Sequence, residues 1–225
     1  MTQPDATHVN PPPSGQFALL RQRRFAPFFW TQFCGAGNDN VFKVAFTSLI
    51  TYQAARFTGL DAGTAAFVIS AVFILPFVLF SATSGQLADK YDKAALMRLV
   101  KNLEIAIMAL GAVGFLAYSA AILLGATFLM GLHSTLFGPV KYAYLPQHLA
   151  ERELTGGNGM VEMGTFAAIL LGNVAGGLLV AIPGVGARWV AAACVGVAVL
   201  GRAVAQAVPA SPATDPSSPS SVLSL

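Results

Sequence analysis

Three long stretches of the sequence contain no Asp, Glu, Lys or Arg, and they constrain the fold more than any other feature. They are residues 62–88, 105–140 and 163–187. Because a helix needs about 20 consecutive apolar residues to cross a bilayer, each stretch can hold a membrane span. The middle stretch is too long for one ordinary span, so it predicts most of two spans with a tight turn near 118–121.

The composition of the chain also indicates a membrane protein. Only 10% of the residues are charged and 55% are hydrophobic, whereas a soluble domain carries about 25% charged residues. Such an apolar chain is not largely disordered either. The basic excess is small, with 13 Lys and Arg against 10 Asp and Glu, so nucleic acid is not an expected partner. The two cysteines lie in apolar stretches, which excludes a disulfide framework and a cysteine-rich zinc site.

The pattern predicts an all-α membrane protein with six transmembrane helices. The expected spans are 26–53, 65–84, 95–117, 120–142, 158–182 and 188–206.

The orientation of these spans follows from Lys and Arg, which are enriched in cytoplasmic loops. Two basic residues, Arg56 and Arg188, fall on one side of the predicted membrane. Nine fall on the other side: Arg21, Arg23, Arg24, Lys90, Lys93, Arg98, Lys101, Arg152 and Arg202. Both termini and the loop between spans two and three are therefore expected in the cytoplasm.

The two ends of the sequence differ in composition from the region between them. Residues 1–24 are polar and contain three consecutive prolines, and residues 208–225 hold four prolines and six serines. This composition predicts disordered tails, which leaves 25–207 as the six-helix transmembrane bundle. The first span is long and contains Asp39, so we expect it to be retained and not cleaved as a signal peptide.

Polar side chains interrupt the first predicted span near its middle. Asn38, Asp39 and Asn40 follow Gly37, and Lys43 comes one helical turn later. An ionisable side chain at that depth is costly unless it faces protein or water, and Asp39 and Lys43 are spaced to pair on one helix face. Two interpretations stay open. One is a structural cluster of interhelical hydrogen bonds; the other, favoured by the density of polar groups, is a polar-substrate or proton site facing a cavity.

A second motif, Gly85-Gln86-Leu87-Ala88-Asp89-Lys90-Tyr91-Asp92-Lys93, lies between spans two and three and predicts a short charged hairpin. Its order resembles the loop motif of the major facilitator superfamily, whose Asp and basic residues latch a cytoplasmic gate against the second half of the transporter. By this resemblance the gate residues are Gly85, Asp89, Lys90 and Lys93. Asp92 stands where the family usually has Gly, and Lys93 where it usually has Arg.

A narrower resemblance rests on 28–43, 85–93 and 137–142 and covers about residues 20–205. These stretches look like bacterial lysophospholipid transporters, which are major facilitator proteins of the inner membrane. The resemblance implies a lysophospholipid or similar amphipathic substrate, membrane lipid as the surroundings, and neither cofactor nor metal. By this resemblance, Asp39 is the carboxylate in the transport cavity that interacts with the lipid headgroup. Together with the other polar residues of spans one and four, the expected substrate-binding residues are Asn38, Asp39, Asn40, Lys43 and Lys141.

The family has twelve spans in two homologous halves that rock around a midplane site. We therefore expect this chain to act as one half, with a second six-helix half or a copy of itself as its partner. The alternatives are a truncated membrane protein that does not transport and a major facilitator transporter of another small polar or amphipathic substrate. An enzyme is not expected, because the sequence has neither a Gly-x-Ser-x-Gly elbow nor a P-loop.

Lys141 and His133 lie on one face of the fourth span. Lys141 either contributes to a polar site or extends to the cytoplasmic surface, and Glu162 is either interfacial or its charge partner. His133 is expected to be a packing residue.

Overall fold

The computed structural model describes residues 15–53 and 62–214. Within these ranges a short 3₁₀ helix, Gln16–Arg21, precedes six long α-helices. The α-helices are α1 (Ala26–Tyr52), α2 (Ala62–Lys90), α3 (Lys93–Leu116), α4 (Ala120–His148), α5 (Glu151–Val180) and α6 (Gly186–Ala205). The expected all-α fold is confirmed. Arg56 and residues 1–14 of the predicted N-terminal tail lie outside the described residues.

Helices α2 to α6 are each long and apolar enough to cross a membrane. The most apolar is α2, whose best window has a mean hydropathy of 2.5. Helix α1 is not among these five, because the polar group around Asp39 lowers its hydropathy. It has 27 residues, enough to cross a bilayer at 1.5 Å per residue, and it packs along α5 and α6. The chain is a multi-pass membrane protein.

At one end of the bundle the helices extend beyond the predicted spans. Helix α2 continues to Lys90, α4 continues to His148, and α5 already begins at Glu151. A span prediction marks only the apolar stretch, whereas a helix can continue through the polar interface. The predicted hairpin at the gate motif is accordingly too long, since only Tyr91 and Asp92 separate α2 from α3.

Glycines on α5 bring it into close contact with α1. A Cβ atom at Gly176 would lie 2.7 Å from the backbone oxygen of Val41, and one at Gly172 would collide with the backbone oxygen of Gly37. Small residues allow such close approach between membrane helices. The α1–α5 contact therefore depends on these two glycines and sets the position of the polar stretch of α1.

Two apolar clusters fill the bundle, one toward each end. The cluster at the end that holds the α2–α3 turn contains Phe28 and Tyr144, whose rings stack with centroids 4.7 Å apart. The other cluster contains Phe42 and Phe115, whose ring centroids are 5.0 Å apart. Between the two clusters lies a level of buried polar side chains around Asn38.

The described part of the N-terminal tail packs on the bundle, although its composition predicted disorder. Leu19 is buried, and Arg24 donates to Glu153 and to the backbone oxygen of His148, both at 2.7 Å. Tyr144 donates its hydroxyl to the backbone oxygen of Arg24 at 2.8 Å. These contacts attach the start of the chain to the turn between α4 and α5.

Candidate functional site

Asp39 is the middle residue of α1 and lies at the level between the two apolar clusters. It is 7% exposed. Ser134 of α4 donates its hydroxyl to Oδ2 at 2.8 Å, whereas Oδ1 has no hydrogen-bond partner among the described residues. The spacing of Asp39 and Lys43 allows an ion pair, but none of the ion pairs in the described ranges joins these two side chains.

Lys43 is directed toward α2 instead. Its Nζ lies 4.1 Å from the centroid of the Phe73 ring, a distance at which a cation is attracted to the face of an aromatic ring. The lysine is half-buried and, within the described part of the chain, has no carboxylate partner. The ammonium group of Lys43 therefore contacts an aromatic ring and not an anion.

Asn40, on the same helix, donates to the backbone oxygen of Ala36 at 2.7 Å.

Asn38 faces away from Asp39 and is completely buried. Its Nδ2 donates to Oε1 of Glu104 on α3 at 3.0 Å and to the backbone oxygen of Cys194 on α6 at 3.1 Å. Glu104 pairs through Oε2 with Lys101 at 2.5 Å. The polar stretch of α1 thus connects three helices at one level of the bundle.

The sequence predicted Lys101 to be one of the cytoplasmic basic residues, whereas the structure places it in a buried ion pair with Glu104. The exposed fraction is only 1% for the lysine side chain and 0% for the glutamate. The signal that could have revealed the pair is the spacing of two opposite charges three residues apart inside a predicted span. His133 of α4 also lies in the interior, with Nε2 at 3.4 Å from the same glutamate oxygen.

Lys141 forms a separate polar group with α5. Its Nζ lies 3.0 Å from Oε1 of Glu162 and 3.4 Å from the hydroxyl of Thr165, and Tyr142 donates to the same glutamate oxygen at 2.9 Å. The interpretation of Glu162 as the charge partner of Lys141 is confirmed. Lys141 is seven positions after Ser134, so at 1.5 Å per residue this group lies about 10 Å along α4 from the level of Asp39.

The gate motif occupies the end of α2, the turn and the start of α3. Asp92 caps α3, because its Oδ1 accepts from the backbone N–H of Ala95 at 2.7 Å. Asp89 is exposed, and a Cβ atom at Gly85 would meet nothing within 4 Å. Lys90 lies with its Nζ 6.0 Å from the centroid of the Tyr91 ring. Three of the four predicted gate residues are thus at or near the surface of this bundle, whereas Lys93 is not.

Lys93 is buried beneath residues 208–214, which return to the gate motif after α6. Its Nζ donates to the backbone oxygen of Pro212 at 2.9 Å and to the hydroxyl of Thr214 at 2.7 Å. Its backbone N–H donates to the oxygen of Ser211 at 2.8 Å. This part of the tail is therefore packed, in contrast to the disorder that its composition predicted, while 215–225 lie outside the described residues.

Further hydrogen bonds join the tail to α4 and to the α2–α3 turn. Ser211 donates its backbone N–H to Oδ2 of Asp92 at 2.8 Å, and its hydroxyl contacts Oε1 of Gln147. Thr214 donates its backbone N–H to the oxygen of Asp89 at 2.9 Å. Nowhere in the described ranges are three His, Cys, Asp or Glu side chains placed to hold a metal ion.

Comparison with known proteins matches this helical bundle to one family. The model of the Major Facilitator Superfamily matches residues 28–223. The chain is similar to the lysophospholipid transporter LplT of Yersinia pestis (strain Pestoides F) and of Yersinia pseudotuberculosis serotype O:3 (strain YPIII). Each is 32% identical over 189 residues, which cover 83% of this chain and 41% of the relative. The chain thus spans less than half the length of these relatives, and no solved structure gives a significant match. Since the family model covers all six helices, and the motif resemblance agrees with it, the chain belongs to the Major Facilitator Superfamily.

Proposed function

We propose that the chain forms one six-helix half of a transporter that moves lysophospholipids across the bacterial inner membrane. The observation that carries this proposal is the position of Asp39 and Lys43 in the middle of a membrane-spanning helix. The 32% identity to the lysophospholipid transporters supports it. Alternating access needs two bundles around a midplane site, so six further helices, from another segment or a second copy, complete the cavity.

Lysophospholipid headgroups with ethanolamine or glycerol have a phosphate and a hydrogen-bond donor, and α1 offers a partner for each. Lys43 is a half-buried cation without a described anionic partner, and it binds the phosphate. Asp39 has one oxygen without a hydrogen-bond donor, and it accepts from an ammonium or hydroxyl of the headgroup. Asn38 and Asn40 belong to the same stretch of α1, where Asn38 bonds to α3 and α6 and Asn40 to the backbone of α1. This division of roles explains why opposite charges one turn apart on α1 do not pair with each other.

Lys141 provides a second anion-binding group toward the gate end of the bundle. Its present partner is Glu162, which is partly exposed. A phosphate that approaches from this end competes with Glu162 for the ammonium group. We therefore propose that Lys141 binds the headgroup on its way to or from Lys43, which lies about one helical turn beyond Asp39 on α1, away from the gate end.

The gate motif is proposed to act at the cytoplasmic end, with both termini on that side. The open space at Gly85 supports this role, because packing within this bundle does not require a glycine there. A helix of the opposing bundle can approach the glycine closely. The exposed Asp89 and the neighbouring Lys90 then provide charges for the contact with that helix.

Binding measurements with the purified chain in lipid nanodiscs test the proposal. Lysophospholipids with ethanolamine, glycerol and choline headgroups are titrated against the wild type, Lys43→Gln and Asp39→Asn. We expect Lys43→Gln to weaken binding about tenfold, which corresponds to ~1.4 kcal/mol. Arg188→Gln is the matched control, because it removes an exposed positive charge at the start of α6, at the end of the bundle away from the gate motif. Equal affinities for the wild type and Lys43→Gln would contradict the proposed site.

A further inference from the structure

The buried ion pair of Lys101 and Glu104 has no role in the substrate contacts proposed above. Both side chains lie inside the bundle at the level of Asn38, with Nζ and Oε2 2.5 Å apart. Charged side chains are costly inside a membrane protein and usually have a function there. A buried ion pair is also often no more stabilising than apolar residues of the same volume. Stability alone is therefore a weak reason for this pair.

The second carboxylate oxygen of Glu104 connects the pair to α1. It accepts from Nδ2 of Asn38 at 3.0 Å, and the other hydrogen of that amide goes to the backbone oxygen of Cys194 at 3.1 Å. Both partners are acceptors, so the amide orientation follows from their chemistry. Asn38 is therefore held between α3 and α6 by two hydrogen bonds, one of them to a charged group.

Glycines on two helices make room for the ammonium group of Lys101. A Cβ atom at Gly35 of α1 would lie 2.8 Å from Nζ, and one at Gly201 of α6 would lie 3.4 Å from it. The first of these distances is too short for a side chain larger than glycine without a shift. The ion pair consequently contacts α1 at two successive turns, through Gly35 and through Asn38.

These contacts determine which way the next residue of α1 points. Successive residues of an α-helix are rotated by about 100°. With Asn38 directed at α3 and α6, Asp39 is turned to α4, where Ser134 donates to it at 2.8 Å. A small rotation of α1 would move Asp39 and Lys43 together, since both belong to the same rigid helix.

We propose that Glu104 and Lys101 are positioning residues, which hold Asn38 and thereby set the rotation of α1 that presents Asp39 and Lys43 to substrate. Glu104 acts through its hydrogen bond to Asn38, and Lys101 pairs with the other carboxylate oxygen and keeps the carboxylate directed at α1. The inference rests on the proposed function for its effect on substrate, whereas the rotation of α1 can be measured without any substrate.

Exchange of the amide and the carboxylate between the two helices tests this role. Asn38→Asp alone places two carboxylates against each other without a proton donor. Asn38→Asp combined with Glu104→Gln restores one donor and one acceptor, with nearly the same shapes and the same total charge. The contact with the Cys194 oxygen is not restored, so recovery is expected to be partial.

Two readouts are measured for the parent, the single variant and the double variant. The first is the dissociation constant of lysophosphatidylethanolamine for the chain in nanodiscs. The second is the maleimide labelling rate of a single cysteine introduced by Lys43→Cys, with both native cysteines replaced by Ala. We expect the single variant to bind about tenfold more weakly and to change its labelling rate, and the double variant to move both values back toward the parent.

A purely structural pair would lower thermal stability and leave both readouts of the folded protein unchanged. A folded Asn38→Asp variant with the parent's affinity and labelling rate would therefore overturn the inference, as would a double variant no closer to the parent than the single one. If Asn38→Asp does not fold, Asn38→Ala removes the link without adding charge, and a folded Asn38→Ala variant with the parent's affinity and labelling rate would overturn the inference. If the parent binds no lysophospholipid, the proposed function fails, and the labelling rates still decide the positioning role.

Discussion

Ser134 of α4 donates its hydroxyl to Asp39 of α1 at 2.8 Å, and this is the carboxylate's only hydrogen bond among the described residues. The bond joins two helices that make few other contacts with each other. Ser134 therefore satisfies one oxygen of the buried carboxylate and keeps the side chain directed at the interface between α1 and α4.

Ser134→Ala is expected to destabilise the protein by about 1–3 kcal/mol, the range for leaving a buried polar group without its partner. Thermal unfolding of the purified chain in detergent measures the change. Ser70→Ala, at an exposed position of α2, is the control and should unfold like the wild type. An unchanged unfolding temperature for Ser134→Ala would show that Asp39 gains nothing from this bond.

The contact of α5 with α1 gives a second prediction. Gly176→Ala puts a methyl group 2.7 Å from the backbone oxygen of Val41, so we expect a loss of about 1–3 kcal/mol from overpacking. Gly177→Ala is a matched control one residue away, because its methyl group meets nothing within 4 Å. Unfolding measurements that find the two variants equally stable would contradict the close approach of these helices.

Attachment of the tail to Lys93 leads to a third prediction. Lys93→Met removes the donor to Pro212 and Thr214, so the backbone amides of residues 208–214 should exchange hydrogen faster. Hydrogen exchange followed by mass spectrometry measures this directly. Lys90→Met is the control, since Lys90 makes no hydrogen bond to the described tail. Equal exchange in both variants would show that the lysine does not hold the tail.

The proposed role of Asp39 gives a fourth prediction. Asp39→Asn keeps the shape of the side chain and an oxygen for Ser134, but it removes the charge. Uptake of radiolabelled lysophospholipid by the complete transporter should be abolished, while the amount of protein in the membrane stays near that of the wild type. Glu151→Gln, an exposed carboxylate at the start of α5, should transport normally. Normal uptake by Asp39→Asn would limit Asp39 to a structural role.

The topology is tested by reporter fusions. The distribution of Lys and Arg predicts that the α2–α3 turn lies in the cytoplasm and the α5–α6 turn outside. A fusion after Asp92 should therefore report the cytoplasmic side, and a fusion after Val185 the outer side. The reverse result, or the same side for both, would contradict the proposed orientation.

The helices could be predicted from the sequence because a span leaves a long stretch without charges. The turn between α5 and α6 is a clear example, since Pro183 and Gly184 mark it and Gly184 has a φ of 73°, which favours glycine. The polar stretch around Asp39 was found for the same reason: charged residues are conspicuous in the middle of a span.

The partners of these polar residues could not be predicted, because they come from other helices. Spacing shows that Asp39 and Lys43 are able to pair, yet Ser134 and Phe73 provide their contacts. Lys101 lies near the edge of a predicted span, and a count of charges does not show which face of α3 it occupies. The tail contacts of Lys93 are mainly with backbone oxygens, which side-chain composition does not reveal.

Binding of a lysophospholipid headgroup by the polar stretch of α1 is the contact on which the proposed transport depends. A lysophospholipid with a photoreactive headgroup tests it, when crosslinked to the chain in nanodiscs and mapped by peptide mass spectrometry. We predict that residues 38–43 are labelled, that excess unmodified lysophospholipid prevents the labelling, and that Lys43→Gln reduces it. Labelling confined to other helices, or equally strong labelling of 38–43 in Lys43→Gln, would contradict the account.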